Sequence, residues 1–214
     1  AFYPNKQITT GEGGMIVTDD DHIADFCRSV RNQGRAAPKS DDGVDNRAGS
    51  WLAHERLGYN YRLSEIACAL GIAQLERLDE ILEERRRVAT LYMQRLMDWE
   101  DIILPTVENS EQTSWFVFVV RLNDLYGHVE RNRIIEGFHR HDIGASNYFP
   151  CIHLQPFYRE KFGYDVGDFP IAESISHRTI ALPFFNQLDE TQIDLICHTF
   201  KVLLQREQLL KRDS

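Results

Sequence analysis

Phe2-Tyr3-Pro4-Asn5-Lys6-Gln7-Ile8-Thr9-Thr10-Gly11-Glu12-Gly13-Gly14 is the stretch on which the reading of this chain turns. A lone lysine sits among aromatic, amide and hydroxyl neighbours, and glycines follow it. Glycine lets the backbone approach a ligand closely or adopt positive φ. A lysine held away from solvent has a depressed pKa and becomes a nucleophilic amine. The same residues also suit an exposed lysine beside a tight turn. Next, Met15-Ile16-Val17-Thr18 reads as a short buried strand of a larger parallel sheet. Asp19-Asp20-Asp21 can cap a helix that turns Ile23, Phe26, Cys27 and Val30 to one face.

Residues 34–50 are polar, contain glycine and have no period, as in a long loop. Ser64 is a candidate N-cap. From there to about residue 97 the pattern is helical, either one bent helix or two in series, with Gly71 its weak point and Glu83 placed to pair with Arg87. After Pro105 the character changes. Residues 115–122 read as a strand, 128–140 as an amphipathic helix followed by Gly144, and 145–149 as a second strand. Residues 150–167 are aromatic-rich and irregular, and 170–179 form a short helix with Pro170 near its start. Asp189 and Gln192 frame a last helix that buries Ile193, Ile196, Phe200 and Leu203.

Of 214 residues, 43% are hydrophobic and 27% charged, the balance of a globular protein and not of a disordered one. Lys plus Arg number 24 against 33 for Asp plus Glu, a net charge of −9. Such a chain repels phosphate backbones, so nucleic-acid coating is excluded, whereas one local pocket can still take a small phosphorylated ligand. Cys27, Cys68, Cys151 and Cys197 form no CxxC pair and read as free thiols of a reducing, cytoplasmic compartment. No apolar run is long enough to span a bilayer, and no signal peptide opens the chain. His139 and His141 point to different faces of a helix, so no metal is expected. The chain begins without Met, in Ala-Phe-Tyr-Pro, and reads as a C-terminal fragment.

The lysine string resembles the corresponding segment of the DegT/DnrJ/StrS family of sugar aminotransferases, which depend on pyridoxal phosphate (PLP). Three further blocks fit in the same order. Leu57-Gly58-Tyr59-Asn60-Tyr61-Arg62-Leu63-Ser64-Glu65, with Ala69-Leu70-Gly71, resembles the family's GYNYR helix start. Tyr148-Phe149-Pro150-Cys151-Ile152-His153-Leu154-Gln155-Pro156-Phe157-Tyr158 is similar to its substrate-side loop. Gly167-Asp168-Phe169-Pro170 through Ala181-Leu182-Pro183-Phe184-Phe185 is similar to its C-terminal signature. The resemblance covers essentially the whole chain and implies that Lys6 forms the Schiff base with PLP. It also implies that Asn60 reaches the PLP phosphate of a neighbouring subunit, where its amide can donate to a phosphate oxygen. Arg62 either adds a charged fork there or serves the local fold, and Asn60 by itself also suits a turn. His153 can hydrogen-bond a sugar hydroxyl or be satisfied within its aromatic loop, and Phe149 beside it is assigned to the substrate side. Two departures stand out: Ala1 replaces a common Ser, and Ser146 replaces a common Arg.

The resemblance therefore implies an α/β fold: the C-terminal portion of a fold-type-I aminotransferase, with part of a large PLP-binding domain (residues 1–85) and a small α+β domain (residues 86–214). It implies transfer of an amino group from an amino acid, L-glutamate, to a keto group of a nucleotide-linked deoxysugar, in surface polysaccharide or amino-sugar biosynthesis. Lys6 is the catalytic residue, PLP the cofactor, and a homodimer the assembly, with no nucleic acid or membrane as partner. The alternative is an inactive fragment that serves only as a structural or dimerising unit.

Overall fold

A computed structural model describes residues 1–35, 53–107 and 113–212. Most of the expected loop 34–50 lies outside the described residues. The chain divides into two compact units, Ala1–Leu78 and Asp79–Ser214.

In the first unit, α1 (Asp21–Arg31) starts at Asp20, whose carboxylate accepts from the backbone N–H groups of His22 and Ile23. α2 (Glu65–Glu76) starts at Ser64, whose hydroxyl accepts from the Ala67 N–H at 3.2 Å. Both caps occupy donors that a first turn leaves open. The helical stretch resolves into two helices in series, since α2 closes at Arg77 before α3 (Leu78–Leu96) begins. The strand expected at Met15–Val17 is not formed: these residues are irregular and 68–87% exposed. A strand needs a neighbour for its N–H and C=O groups, and none pairs with this segment among the described residues. Ile23 and Phe26 of α1 also lie exposed, contrary to the expected buried face.

The second unit holds the core, which among the described residues runs from Ile81 to Leu204. Three antiparallel strands, β1 (Ile102–Ile103), β2 (Phe118–Leu122) and β3 (Thr179–Leu182), form a sheet in that order. Phe118 pairs with Leu182, Arg121 with Thr179, and Ile102 with Leu122. Period-two alternation turns Phe118, Val120 and Leu122 inward. Against them pack α3, α4 (His128–Arg140) and α7 (Glu190–Arg212). The Tyr92 ring stacks on Phe118 at 4.9 Å, and its hydroxyl donates to the Pro183 carbonyl at 2.8 Å. Phe138 of α4 meets Phe200 of α7 at 5.4 Å. Burying a side chain of this size stabilises the fold by about 1.5–3 kcal/mol.

The strand expected over 115–122 begins only at Phe118, where pairing with β3 begins. The one expected over 145–149 reduces to a single bridge, Ser146 to Ala181. β3 takes the place beside β2, and Ser146 only touches its far side. The stretch 150–167 is more regular than expected, with a 3₁₀ turn (Ile152–Leu154) and α5 (Pro156–Phe162), followed by α6 (Pro170–Ser176). At α7 the Asp189 and Gln192 side chains exchange hydrogen bonds with each other's backbone N–H at 2.8 and 3.1 Å, the box read from sequence. Glu83 pairs with Arg86 and not Arg87. Arg87 turns instead to Glu84 and to the carbonyls of Asn186 and Leu188.

Candidate active site

Lys6 closes a tight turn. Its N–H donates to the Tyr3 carbonyl at 3.0 Å, with Pro4 and Asn5 between them. Proline there presets the φ that such a turn needs. The turn is braced at its base. Phe2 N–H donates to the Gly13 carbonyl, Thr10 N–H to the Phe2 carbonyl, and the Thr9 hydroxyl to the same Phe2 oxygen, each at 3.0 Å. The loop is tied to α2 through Thr9 N–H and the Gln74 side-chain oxygen at 3.3 Å. A Cβ on Gly71 would lie 3.0 Å from Thr10 Cγ2, so the weak point of the helix is where the lysine loop approaches it. The Lys6 side chain is half-buried.

Asn60 lies on an extended segment laid against the end of α1. Tyr59 N–H donates to Val30 O at 2.7 Å, Gln33 N–H to Tyr59 O at 2.8 Å, and Tyr61 N–H to Arg31 O at 2.9 Å. This approach needs two glycines. Gly34 has φ +73°, and a Cβ on it would sit 1.8 Å from the Arg56 carbonyl oxygen; one on Gly58 would sit 2.0 Å from the Gly34 nitrogen. Tyr59 and Tyr61 stack at 4.9 Å, which in an extended segment leaves Asn60 on the opposite face, exposed. The Arg62 guanidinium is exposed and donates to the Asn32 side chain at 2.9 Å. Lys6 thus lies on the turn beside α2 and Asn60 on the segment beside α1.

His153 and Phe149 belong to the other unit. Phe149 is 62% exposed, its ring stacked on Tyr148 at 3.9 Å, and its carbonyl accepts from the Ser176 hydroxyl. His153 is only 9% exposed. Its Nε2 lies 3.0 Å from Glu173 Oε1, and its ring packs on Phe169 at 4.7 Å and edge-on to Tyr164 at 6.3 Å. Glu173 is 6% exposed and also accepts from the N–H groups of Gly167 and Phe169. Burial pushes its carboxyl upward, but the Gly167 N–H, His153 and the Phe169 N–H outweigh this and hold it below the ordinary carboxylate range. Sequence reasoning missed Glu173. Its signal was an acidic residue in the otherwise apolar start Pro170-Ile171-Ala172 of a short helix. A hollow of about 750 Å³ between α3 and Trp115 contains none of these residues.

Residues 1–201 match the DegT/DnrJ/EryC1/StrS aminotransferase family, and the chain belongs to it. The spore coat polysaccharide biosynthesis protein SpsC of Bacillus subtilis is 31% identical over 196 residues, 91% of this chain and 50% of that protein. GDP-perosamine synthase of Vibrio cholerae is 31% identical over 201 residues, 94% of this chain and 51% of that protein. The fold is that of the sugar aminotransferase Spr1654 of Streptococcus pneumoniae, described as putative and solved in its PLP form, with a TM-score of 0.82 at 22% identity over 96% of this chain and 50% of that one. The chain spans about half the length of the curated relatives it matches. No helix among the described residues is long and apolar enough to cross a membrane.

Proposed function

We propose that this chain supplies the lysine half of a PLP-dependent aminotransferase that moves an amino group from L-glutamate to a keto group of a nucleotide-linked deoxysugar, in surface polysaccharide or amino-sugar biosynthesis. The observation that carries the reading is Lys6 on a braced turn, in a chain that matches an aminotransferase family from residue 1 to residue 201. The donor set suits a phosphorylated aldehyde: a half-buried amine at Lys6, an exposed amide at Asn60 and an exposed guanidinium at Arg62. Lys6 would hold the cofactor's carbonyl carbon, and Asn60 with Arg62 would bind phosphate oxygens. PLP supplies an electron sink for the amino acid's α-carbon.

The residues of the chain do the rest. The Lys6 amine would take the proton from the donor's α-carbon as a general base and, as an acid, pass it to the cofactor carbon that keeps the amino group, with the same transfer run in reverse for the sugar. Amino acid and keto sugar become 2-oxo acid and amino sugar. His153 and Phe149 are assigned to the sugar substrate. Asn60 is assigned to the site of a second copy, so that a homodimer shares its sites, and the reaction runs in the cytoplasm. A second reading, a structural or dimerising unit inactive by itself, is favoured by the first unit. None of its described large apolar side chains is buried.

Borohydride reduction in the presence of PLP, followed by peptide mass analysis, tests both readings. It is applied to the complete gene product and to the 214-residue chain. Label at Lys6 in the complete product, lost in Lys6→Ala together with turnover, is the expected result. Label in the complete product only favours the second reading for the isolated chain. Label at another lysine with activity intact overturns the assignment. Hybrid dimers of Asn60→Ala and Lys6→Ala chains should recover part of the activity, because one of two shared sites stays whole; full activity in a strict monomer would refute sharing.

A further inference from the structure

The carboxylate of Glu173 has no role in the reading above, yet it organises the segment that carries His153. Its Oε1 receives the Gly167 N–H at 3.0 Å and the Phe169 N–H at 3.2 Å, and its Oε2 receives the Gly167 N–H at 3.0 Å. Backbone amides only donate, so both oxygens are engaged as acceptors. The fourth contact, Oε1 to His153 Nε2 at 3.0 Å, then needs its proton on the imidazole. The ring packs on Phe169 at 4.7 Å and edge-on to Tyr164 at 6.3 Å, with Nε2 turned to the carboxylate.

We propose that Glu173 is a positioning residue that fixes the His153 proton on Nε2 and thereby leaves Nδ1 as a hydrogen-bond acceptor toward a ligand. The proposal deepens the reading in which His153 touches substrate. A ring held in this tautomer accepts from a hydroxyl or an amine and offers nothing to a phosphate oxygen. It would therefore select the hydroxyl-bearing sugar and not the charged linkage of a nucleotide sugar. Nδ1 makes no hydrogen bond among the described residues, which is the condition for such a contact.

The test is ring-nitrogen NMR of the 214-residue chain labelled with ¹⁵N-histidine, at pH 8, above the ordinary histidine range. Eight histidines contribute, and the His153 pattern is assigned by its loss in His153→Asn. Should that variant fail to fold, contacts of the ring protons with Tyr164 and Phe169 give the assignment. The expected pattern is a protonated Nε2 with an unprotonated Nδ1, and a mixed or reversed pattern in Glu173→Gln, whose amide can donate to Nε2. A His153 protonated on Nδ1, or on both nitrogens, in the parent chain would overturn the proposal. So would an unchanged pattern in a folded Glu173→Gln variant. If Glu173→Gln does not fold, the parent pattern alone decides. PLP trapping at Lys6 does not depend on this tautomer, so the failure of either reading is visible without the other.

Discussion

Gly137 lies inside α4, where alanine is normally the better residue by about 0.8–1.0 kcal/mol. The structure reverses that expectation. A Cβ on Gly137 would lie 2.3 Å from Leu203 Cδ2, 3.0 Å from Cδ1 and 3.2 Å from Cγ. Leu203 is buried on α7 in the shared core, so any shift of its side chain is made against packed neighbours. Overpacking a site of this kind costs about 1–3 kcal/mol. The clash outweighs the propensity gain, and Gly137→Ala should destabilise the chain by about 1 kcal/mol. Leu203→Ala alone should cost about 2–5 kcal/mol by leaving a cavity. In that background the new methyl finds room, so Gly137→Ala should change sign and become stabilising by about 1 kcal/mol. Urea unfolding followed by tryptophan fluorescence reads these differences, since Trp99 packs on Phe200 of α7 at 5.9 Å. The midpoint should move with the slope unchanged. Stabilisation by Gly137→Ala in the parent chain, or strict additivity with Leu203→Ala, would refute the tight α4–α7 approach.

Three further outcomes are expected. Glu173 is held below the ordinary carboxylate range, so its contribution is present above the usual glutamate value of about 4.3 and is lost as pH falls through its folded value. Acid unfolding of Glu173→Gln should accordingly show a shallower pH dependence, and an unchanged slope would contradict the hydrogen bonds assigned to it. Burial pushes the Cys197 thiol up to about 12, so at pH 8 a thiol-exchange reagent should miss it in the folded chain and reach it in urea; Cys27, Cys68 and Cys151, half-buried, should react first. Hydrogen exchange should be slowest in β2 and α7 and much faster in α1 and α2, and uniform protection would oppose the burial pattern.

The elements legible in the sequence were those whose signals are local. Asp20, Ser64 and Asp189 supply oxygens to N–H groups two or three residues away, and α4 and α7 repeat their apolar residues at helical spacing, so neighbours along the chain suffice to read them. The turn at Lys6 and its bracing loop likewise close within residues 2–13, whereas the role of Lys6 was implied by the family resemblance and not by local signals. Only tertiary structure decided the strands. Residues 15–17 and 145–149 have β-type composition, but pairing depends on a distant partner: β2 finds β3, Ser146 makes one bridge, and Met15–Val17 finds none among the described residues. The fourfold role of Glu173 was likewise hidden. Its donors at Gly167 and Phe169 precede it by six and four residues and His153 by twenty, and only the folded loop brings them to one carboxylate. Capping and periodicity are written into adjacent residues, whereas sheet pairing and the state of a buried imidazole depend on which distant groups the fold brings within hydrogen-bond reach.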